Sequence, residues 1–534
     1  MRKAILLIGA WVFAQNADLF LGSEAYPLLE RWQVRGWLDT TLPGEVRPWA
    51  VEEAQRWLSR TTYEALPRLE KARYDRLAYI IQDTLPARKG RWLRFLFPEG
   101  RDLIAERGRF GEVYIGPLAY FALGRDSTGL LYQNTRGAYL RMKVGHKLGF
   151  YADIIETQSR PPFFVRQRYD QYATLWGEAY LKPFRSGAFD HPNTRGYLTY
   201  SPIEAVRIKL GRDKVFWGPG FQSLWLSDYA PEYLHLHVRT RVARWEYHNL
   251  FAQLVDEIPF KPDIWGDHPR KYLAAHLLLW RPSSAFTIGA FEAVMYNPWT
   301  PRGTRGIELS YFIPIIFYRT IEQMLGSPDN AMLGALFKAN LLKRFQLYGQ
   351  LALDDYNFGM RRRGRGWWGN KYAWQVGIKG FDLGLPSLDL QVEYNHVRPY
   401  TYSHSNVGAA WHHYRQFLAH PYGANLQEVS ALMRYQPLPG LTVEGRLTLI
   451  EQGLNRPREN WGSNILISDV SFMQEFGNKL LQGERVRYTL IHGKLIYQPR
   501  KLPLYMEGEG FYRGRAYGIM AGIRWMFVPK MLRF

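Results

Sequence analysis

The sequence predicts an all-β transmembrane barrel of the outer-membrane type, built of antiparallel strands, with a small N-terminal α-helical plug on the periplasmic side. Three observations lead there. Aromatic residues make up 16% of the 534 residues, including 35 Tyr and 19 Trp, yet mean hydropathy is −0.32. Past the N-terminus no apolar run approaches the roughly 20 residues of a membrane helix. From about residue 109 onward apolar and polar residues alternate with period two. Lipid-facing side chains at alternate positions keep a barrel sequence hydrophilic on average while loading its interfaces with Tyr and Trp.

The first segment reads as export. Arg2 and Lys3 precede an apolar core from Ala4 to Ala14, and Val12-Phe13-Ala14 is a small-residue cleavage site, so residues 1–14 are expected to be a signal peptide. The absence of cysteine excludes a disulfide scaffold and thiolate metal sites, and suits the envelope of a Gram-negative bacterium. The outer membrane is the expected location.

Residues 15–100 form the expected plug. In "RPWAVEEAQRWLSR", Pro48 suits a first helical turn and Glu52 and Glu53 suit a helix N-terminus. Trp49, Ala50, Ala54, Trp57 and Leu58 recur at helical spacing. A second helix is expected across "YEALPRLEKARYDRLAYIIQDTLP", with Leu66, Leu69, Leu77, Ile80 and Ile81 as its stripe and Pro67 at its first turn. Two or three helices of this size need a larger body to pack on.

Residues 101–534 form the expected barrel. "LDLQVEYNHV" alternates Leu388, Leu390, Val392 and Tyr394 with Asp389, Gln391, Glu393 and Asn395. "VEGRLTLIE" and "YAWQVGIKG" repeat the pattern. A soluble sandwich would alternate too. Tight turns at 384–387, 436–440 and 498–503 alternate with longer polar loops such as "NFGMRRRGRGWWGNK", an asymmetry typical of outer-membrane barrels. Some 14 to 18 strands can be counted, the last ending in "YGIMAGIRWMF" and Phe534 and closing on the first. A lumen that wide fills with water unless it is plugged.

No catalytic signature is present: no G-x-S-x-G elbow, phosphate loop or H-E-x-x-H. His412, His413 and His420 read as hydrogen-bonded loop histidines rather than metal ligands. Asp354 and Asp355 are adjacent and point to opposite faces of a strand. No enzyme activity, cofactor or metal is expected. The net charge of +21 is scattered rather than clustered, which argues against nucleic acid. On the inner face or rims it would serve an anionic solute, acidic glycan or anionic membrane surface.

Sugars stack on Trp and Tyr, and Arg grips an acidic sugar's carboxylate in a two-pronged contact. Trp367 and Trp368 beside Arg363 and Arg365, and next Trp299 with Arg302, have those ingredients. The same side chains would equally serve an interfacial girdle and contacts to lipopolysaccharide head groups.

The stretch "GRDKVFWGPGFQSLWLSDYAP" carries a likeness, together with "YPLLERWQVRGWLD…RPWAVEEAQRWL", "IFYRTIEQMLGSPDNAMLG" and "HHYRQFLAHPYGANLQE". In order and over nearly the whole chain, these resemble the Wzi-type capsule-assembly outer-membrane proteins, in their Bacteroidota branch. The resemblance implies about eighteen strands, a periplasmic helical plug, and a monomeric, non-catalytic, lectin-like role in binding surface or capsular polysaccharide. The alternative is a plugged porin or transport barrel, or a part of another export machinery. Arg212, Asp213, Trp217, Gly218, Pro219, Gly220, Trp225 and Asp228 are the family-motif residues. Gly218-Pro219-Gly220 is expected to turn the chain sharply inward, with Trp217, Phe221 and Trp225 as anchors and Arg212, Asp213 and Asp228 tying it by charge.

Overall fold

The computed structural model describes residues 17–38, 40–82, 102–145, 147–179, 181–185, 187–256, 268–300, 303–314, 317–325, 329–499, 504–514 and 516–525. The expected signal peptide, Arg302, the stretch 83–100 and the chain end with Phe534 lie outside them.

Eighteen antiparallel strands close into one barrel. They are β1 (Gly111–Asp126), β2 (Gly129–Val144), β3 (Leu148–Arg160), β4 (Ala188–Ile203), β5 (Val206–Asp213) and β6 (Tyr233–Val242). There follow β7 (Trp245–Val255), β8 (Arg270–Ser283), β9 (Phe286–Tyr296), β10 (Asn330–Leu341), β11 (Phe345–Asp355) and β12 (Lys371–Gly380). The last six are β13 (Leu388–Val397), β14 (Leu426–Leu438), β15 (Leu441–Leu454), β16 (Glu484–Tyr497), β17 (Leu504–Arg513) and β18 (Ala516–Trp525). Each strand pairs with its sequence neighbours, and β18 closes on β1 from Gly518↔Asp126 to Trp525↔Ala119.

The side-chain alternation is inverted relative to a soluble protein. In β13 the apolar Leu390 and Val392 are 37% and 47% exposed, while Glu393 and Asn395 are fully buried. On β8 the inward Leu273, Leu277 and Leu279 pack with Trp217 and Trp225 inside the lumen, but over most of the wall large apolar residues face outward and polar ones face the lumen. Only a lipid solvent rewards that pattern, and a closed sheet leaves no unpaired edge in it. The barrel is a transmembrane barrel of the outer-membrane type. One end carries short turns such as 204–205, 243–244, 284–285 and 439–440. The other carries the long loops 161–187, 214–232, 297–329, 356–370, 398–425 and 455–483.

Three helices lie at the short-turn end: α1 (Ala25–Arg35), α2 (Val51–Ser59) and α3 (Arg68–Gln82). Helix α2 begins after Ala50, so Pro48 precedes it rather than sitting in its first turn. Trp32, Leu29, Trp57, Leu58, Leu77 and Ile81 form one apolar core that continues onto Tyr139, Tyr151 and Tyr197 of the wall.

Charge then fixes the plug in place. Asp18 accepts from Arg207 and Lys209 of β5, each at 2.7 Å. Glu30 meets Lys379 of β12 at 2.9 Å. Glu45 meets Lys338 of β10 at 2.5 Å and Arg281 of β8 at 3.1 Å. Glu53 meets Arg239 and Arg241 of β6 at 2.6 and 3.2 Å. Arg31, buried, reverses the polarity and grips Glu70, Asp382 and Asp389. Glu52 and Glu53 lie in the first turn of α2 as expected, and Glu53 in addition binds wall arginines. One expectation is corrected here: much of the inward basic charge is already committed to plug carboxylates. Removing one partner of a buried pair costs about 3–5 kcal/mol. The exposed rim pair Arg56–Glu204, with Glu204 largely in solvent, is worth about 0–1 kcal/mol.

Burial alone would push the Glu45 and Glu53 carboxyls up, making them weaker acids. The facing cations win and hold both carboxyls at about 2, against an ordinary 4.5. A carboxylate depressed in the folded state stabilises docking above its ordinary value and loses that contribution as pH falls toward the folded value. The plug is therefore expected to stay docked at pH 5 and to loosen between about pH 4.5 and 2. Pepsin cleavage within residues 17–82, normalised to a denatured substrate, should be slow at pH 5 and fast near pH 2. Equal normalised rates would show that these carboxylates do not hold the helices.

Candidate functional site

The segment 214–232, which carries the expected motif residues Trp217 to Asp228, folds into the lumen after β5. Val46 and Arg47 of the plug pair with Trp217 and Phe216 as a two-residue antiparallel ribbon, and the Gly218 amide donates to the Glu45 carbonyl at 2.8 Å. Plug and motif are thus one continuous piece of structure inside the barrel.

Trp217 and Trp225 are fully buried. Trp225 stacks on Phe291 of β9 at 4.4 Å and donates its indole N–H to the Leu351 carbonyl at 2.9 Å. The wall supplies a polar clamp. The Glu393 carboxylate accepts the amides of Phe221 and Gln222 at 2.6 and 3.0 Å and the Tyr348 hydroxyl at 2.8 Å. Gln350 accepts the Leu224 amide and donates to the Trp217 carbonyl. Gln375 donates to the Gln222 carbonyl, and Lys379 to the Pro219 carbonyl. Backbone groups of an irregular segment need such partners once buried, and inward-facing side chains provide them.

The glycines are explained by this clamp. Neither Gly218 nor Gly220 has a left-handed backbone. A Cβ on Gly220 would lie 2.4 Å from both Gln375 Oε1 and Glu393 Oε2, so closeness to the wall, rather than a sharp turn, requires glycine there. The flanking charges also act differently from the expectation. Asp213 pairs with Lys209 of its own strand at 2.5 Å. Arg212 has no carboxylate within 4.0 Å among the described residues. The Asp228 carbonyl accepts from Lys214 at 3.3 Å.

The loop 398–425 closes over the motif from the long-loop end. The Trp411 indole donates to the Trp225 carbonyl at 2.7 Å, the Tyr402 hydroxyl to the Leu224 carbonyl at 3.0 Å, and the Ser227 amide to the Leu418 carbonyl at 2.6 Å. Asp354 anchors this loop by accepting the Tyr402 amide. The three loop histidines are buried here: His413 accepts the Val255 amide, His420 meets Glu428 at 3.1 Å, and His412 lies 3.3 Å from the Val407 carbonyl. Burial pushes His413 down to about 3. The lumen is therefore filled from both ends. A cavity of about 520 Å³ remains between the plug, the motif and the wall, where β3, β4 and β12–β18 contribute, lined among others by Phe221, Tyr229, Arg434, Arg446 and His492.

The surface candidates sit on the loop 356–370. Arg363 and Arg365 are exposed; Trp367 and Trp368 are half-buried. Trp368 stacks on Phe472 of the neighbouring 455–483 loop at 4.4 Å and meets Tyr400 edge-on, so one of its faces is occupied from within. Trp367 lies 5.8 Å from Trp368. Trp299 belongs to a different loop, where it pairs through its backbone with Thr304.

Downstream of Trp299, part of that loop leaves the rim. Residues 309–314 and 317–325, with the helix α4 at Tyr318–Leu325, lie on the outer wall. His276 of β8 and Glu292 of β9 are cross-strand partners facing away from the lumen, yet both are buried. Glu292 accepts the amides of Phe317 and Arg319, and Tyr318 packs on His276 at 4.3 Å. Phe317 and Met324 are 68% and 83% exposed on the other side. No periodicity argument reveals an external cover of this kind.

No family model matches this sequence, and no curated protein matches it. Solved structures do. Over 96% of this chain and 100% of the other, the structure superposes on Wzi of Escherichia coli with a TM-score of 0.59 at 15% identity. That protein is described as an outer membrane protein involved in group 1 capsule assembly and a carbohydrate-binding β-barrel. The fold is Wzi-like. OprD of Pseudomonas aeruginosa (TM-score 0.40, 8% identity, 77% of this chain and 94% of the other) and OccAB2 of Acinetobacter baumannii (0.42, 11%, 78% and 99%) also match. At 15% identity the likeness to Wzi speaks for the fold alone.

Gly220→Ala tests the clamp. Forcing a methyl against Gln375 and Glu393 is expected to cost about 1–3 kcal/mol, lowering the unfolding temperature in detergent. Gly384→Ala, in an open rim turn with nothing within 4 Å of a Cβ, controls for backbone strain alone, since Gly384 has φ 77°. A Gly220→Ala protein as stable as wild type would remove the close-approach argument.

Proposed function

We propose that this chain is a non-catalytic, monomeric outer-membrane barrel of the Wzi type that binds a surface or capsular polysaccharide, an acidic glycan, and helps to assemble or hold a capsule. The observation that carries this reading is the filling of the lumen from both ends. A barrel plugged by helices, by its own motif and by the 398–425 loop offers a surface rather than a pore. The Wzi-like fold, the carbohydrate binding described for Wzi and the exposed Arg363 and Arg365 beside Trp367 support a glycan at the long-loop face. The same arginines suit the phosphates of lipopolysaccharide. The four sequence segments quoted above support the Bacteroidota branch of the family.

Transport of a small solute is the second reading, and the residual 520 Å³ cavity favours it. Binding decides between the two. The purified protein is expected to bind isolated acidic capsular polysaccharide at low ionic strength and to release it as salt rises. Trp367→Ala should weaken that binding about tenfold, or about 1.4 kcal/mol, without shifting the unfolding temperature. Absence of binding at low salt would sink the acidic-glycan reading, and an unaffected Trp367→Ala would take this loop out of the site.

A further inference from the structure

The residual cavity differs from an ordinary packing gap in how its charges are matched. Six cations that line it each meet a carboxylate. Lys379 meets Glu30 at 2.9 Å, Lys494 and Arg524 meet Glu507 at 2.8 and 2.7 Å, and Arg195 meets Asp153. Arg434 lies 3.6 Å from Glu444, and Lys214 lies 3.9 Å from Glu232. Two lining arginines have no carboxylate within 4.0 Å among the described residues: Arg47 and Arg446. Each rests instead on aromatic faces. Arg47 lies over Tyr26 and Phe216 at 5.3 and 5.5 Å, and Arg446 over Phe221 at 5.5 Å. In both, the Nε–H is buried without an acceptor.

A guanidinium keeps its charge at any accessible pH and presents a planar fork that fits a carboxylate. One held over a ring, with its Nε–H unmet, at the wall of a cavity is pre-positioned for an anion. The space suits one or two sugar rings, since small-molecule sites run from about 300 to 1,000 Å³. The rings of Phe221 and Tyr229 line the same cavity and offer stacking faces. Arg446 also stands cross-strand from His492, which itself contacts Glu509 at 3.3 Å. Among the described residues Arg446 thus has no carboxylate within 4.0 Å on the β15–β16 wall. The cavity lining runs from Phe381 and Gln498 at the short-turn rim to Trp176 and Glu178 of the 161–187 loop, so the ligand is placed inside the lumen rather than on the 356–370 loop.

We propose that the lumen cavity is a second saccharide site, separate from the loops, that takes a short acidic saccharide carrying a uronic-acid carboxylate. Arg446 binds the carboxylate, Phe221 and Tyr229 stack the ring, and Arg47 supplies further donors from the plug side. This rests on the acidic-glycan reading for its ligand class but not for its location.

The test is calorimetric titration of the full chain in detergent with a uronic-acid disaccharide, its methyl ester and a neutral disaccharide, in wild type, Arg446→Met, Arg446→Lys and Phe221→Ala. Wild type is expected to bind the acid at least tenfold more tightly than the ester or the neutral sugar. Arg446→Met should abolish that preference. Arg446→Lys, which keeps the charge and loses the fork, should fold as wild type and weaken the acid severalfold. Binding of long polysaccharide by these variants should stay at the wild-type level. Equal affinity for acid and ester, or an acid preference that survives both Arg446 substitutions, overturns the cavity site while leaving the loop reading intact. Disaccharide binding that depends on Arg446 without any binding of the long polysaccharide would do the opposite: it upholds the cavity and removes the surface reading.

Discussion

Carboxylates on the N-terminal segment facing cations on the inner wall are the interaction on which the rest of this structure depends. Eighteen strands enclose more space than their own inward side chains can fill. Asp18, Glu30, Glu45 and Glu53 reach β5, β12, β10 with β8, and β6, so that the plug is tied to strands right around one side of the lumen. Each pair is buried, where an orphaned charge is far costlier than at the surface. The network therefore acts as a register. In the observed placement all four carboxylates of the N-terminal segment are satisfied at once.

Everything nearer the long-loop end builds on that placement. Val46 and Arg47, held beside Glu45, provide the strand edge on which Phe216 and Trp217 pair. The motif so anchored offers its backbone to Glu393, Gln350 and Gln375, and its Trp225 carbonyl to Trp411 of the covering loop. Cations that a sequence count assigns to an external anion are thereby consumed inside. Among the described residues, the cations without a carboxylate partner at the candidate sites are Arg363 and Arg365 on the rim, and Arg47 and Arg446 in the cavity.

Much of the architecture was legible in the residues because a lipid-facing wall imposes strict alternation. The runs at 372–380, 388–397 and 443–451 fall within β12, β13 and β15, and the helical spacings of 49–58 and 66–81 fall largely on α2 and α3. The long-range polar pairs were not legible, since Glu53 and Arg239 are far apart in sequence and nothing local marks them as partners. Gly220 looked like a turn residue because glycine beside proline usually is one. Its actual constraint comes from Gln375 and Glu393, on strands whose position no local pattern gives. Trp368 looked free because it neighbours Trp367 and four arginines. Its stack on Phe472 depends on which loops meet at the rim. The buried His276–Glu292 pair breaks the outward-apolar rule, and a loop that doubles back onto the wall is what permits it.

The central claim is that plug carboxylates keep this barrel shut. Single-molecule conductance in planar bilayers tests it most directly, comparing wild type with a variant carrying Asp18→Asn, Glu30→Gln, Glu45→Gln and Glu53→Gln together. The account predicts a near-silent wild type and a variant with frequent, long openings of a wide pore, both folded as barrels. A wild type that conducts steadily, or a variant as silent as wild type, would contradict it.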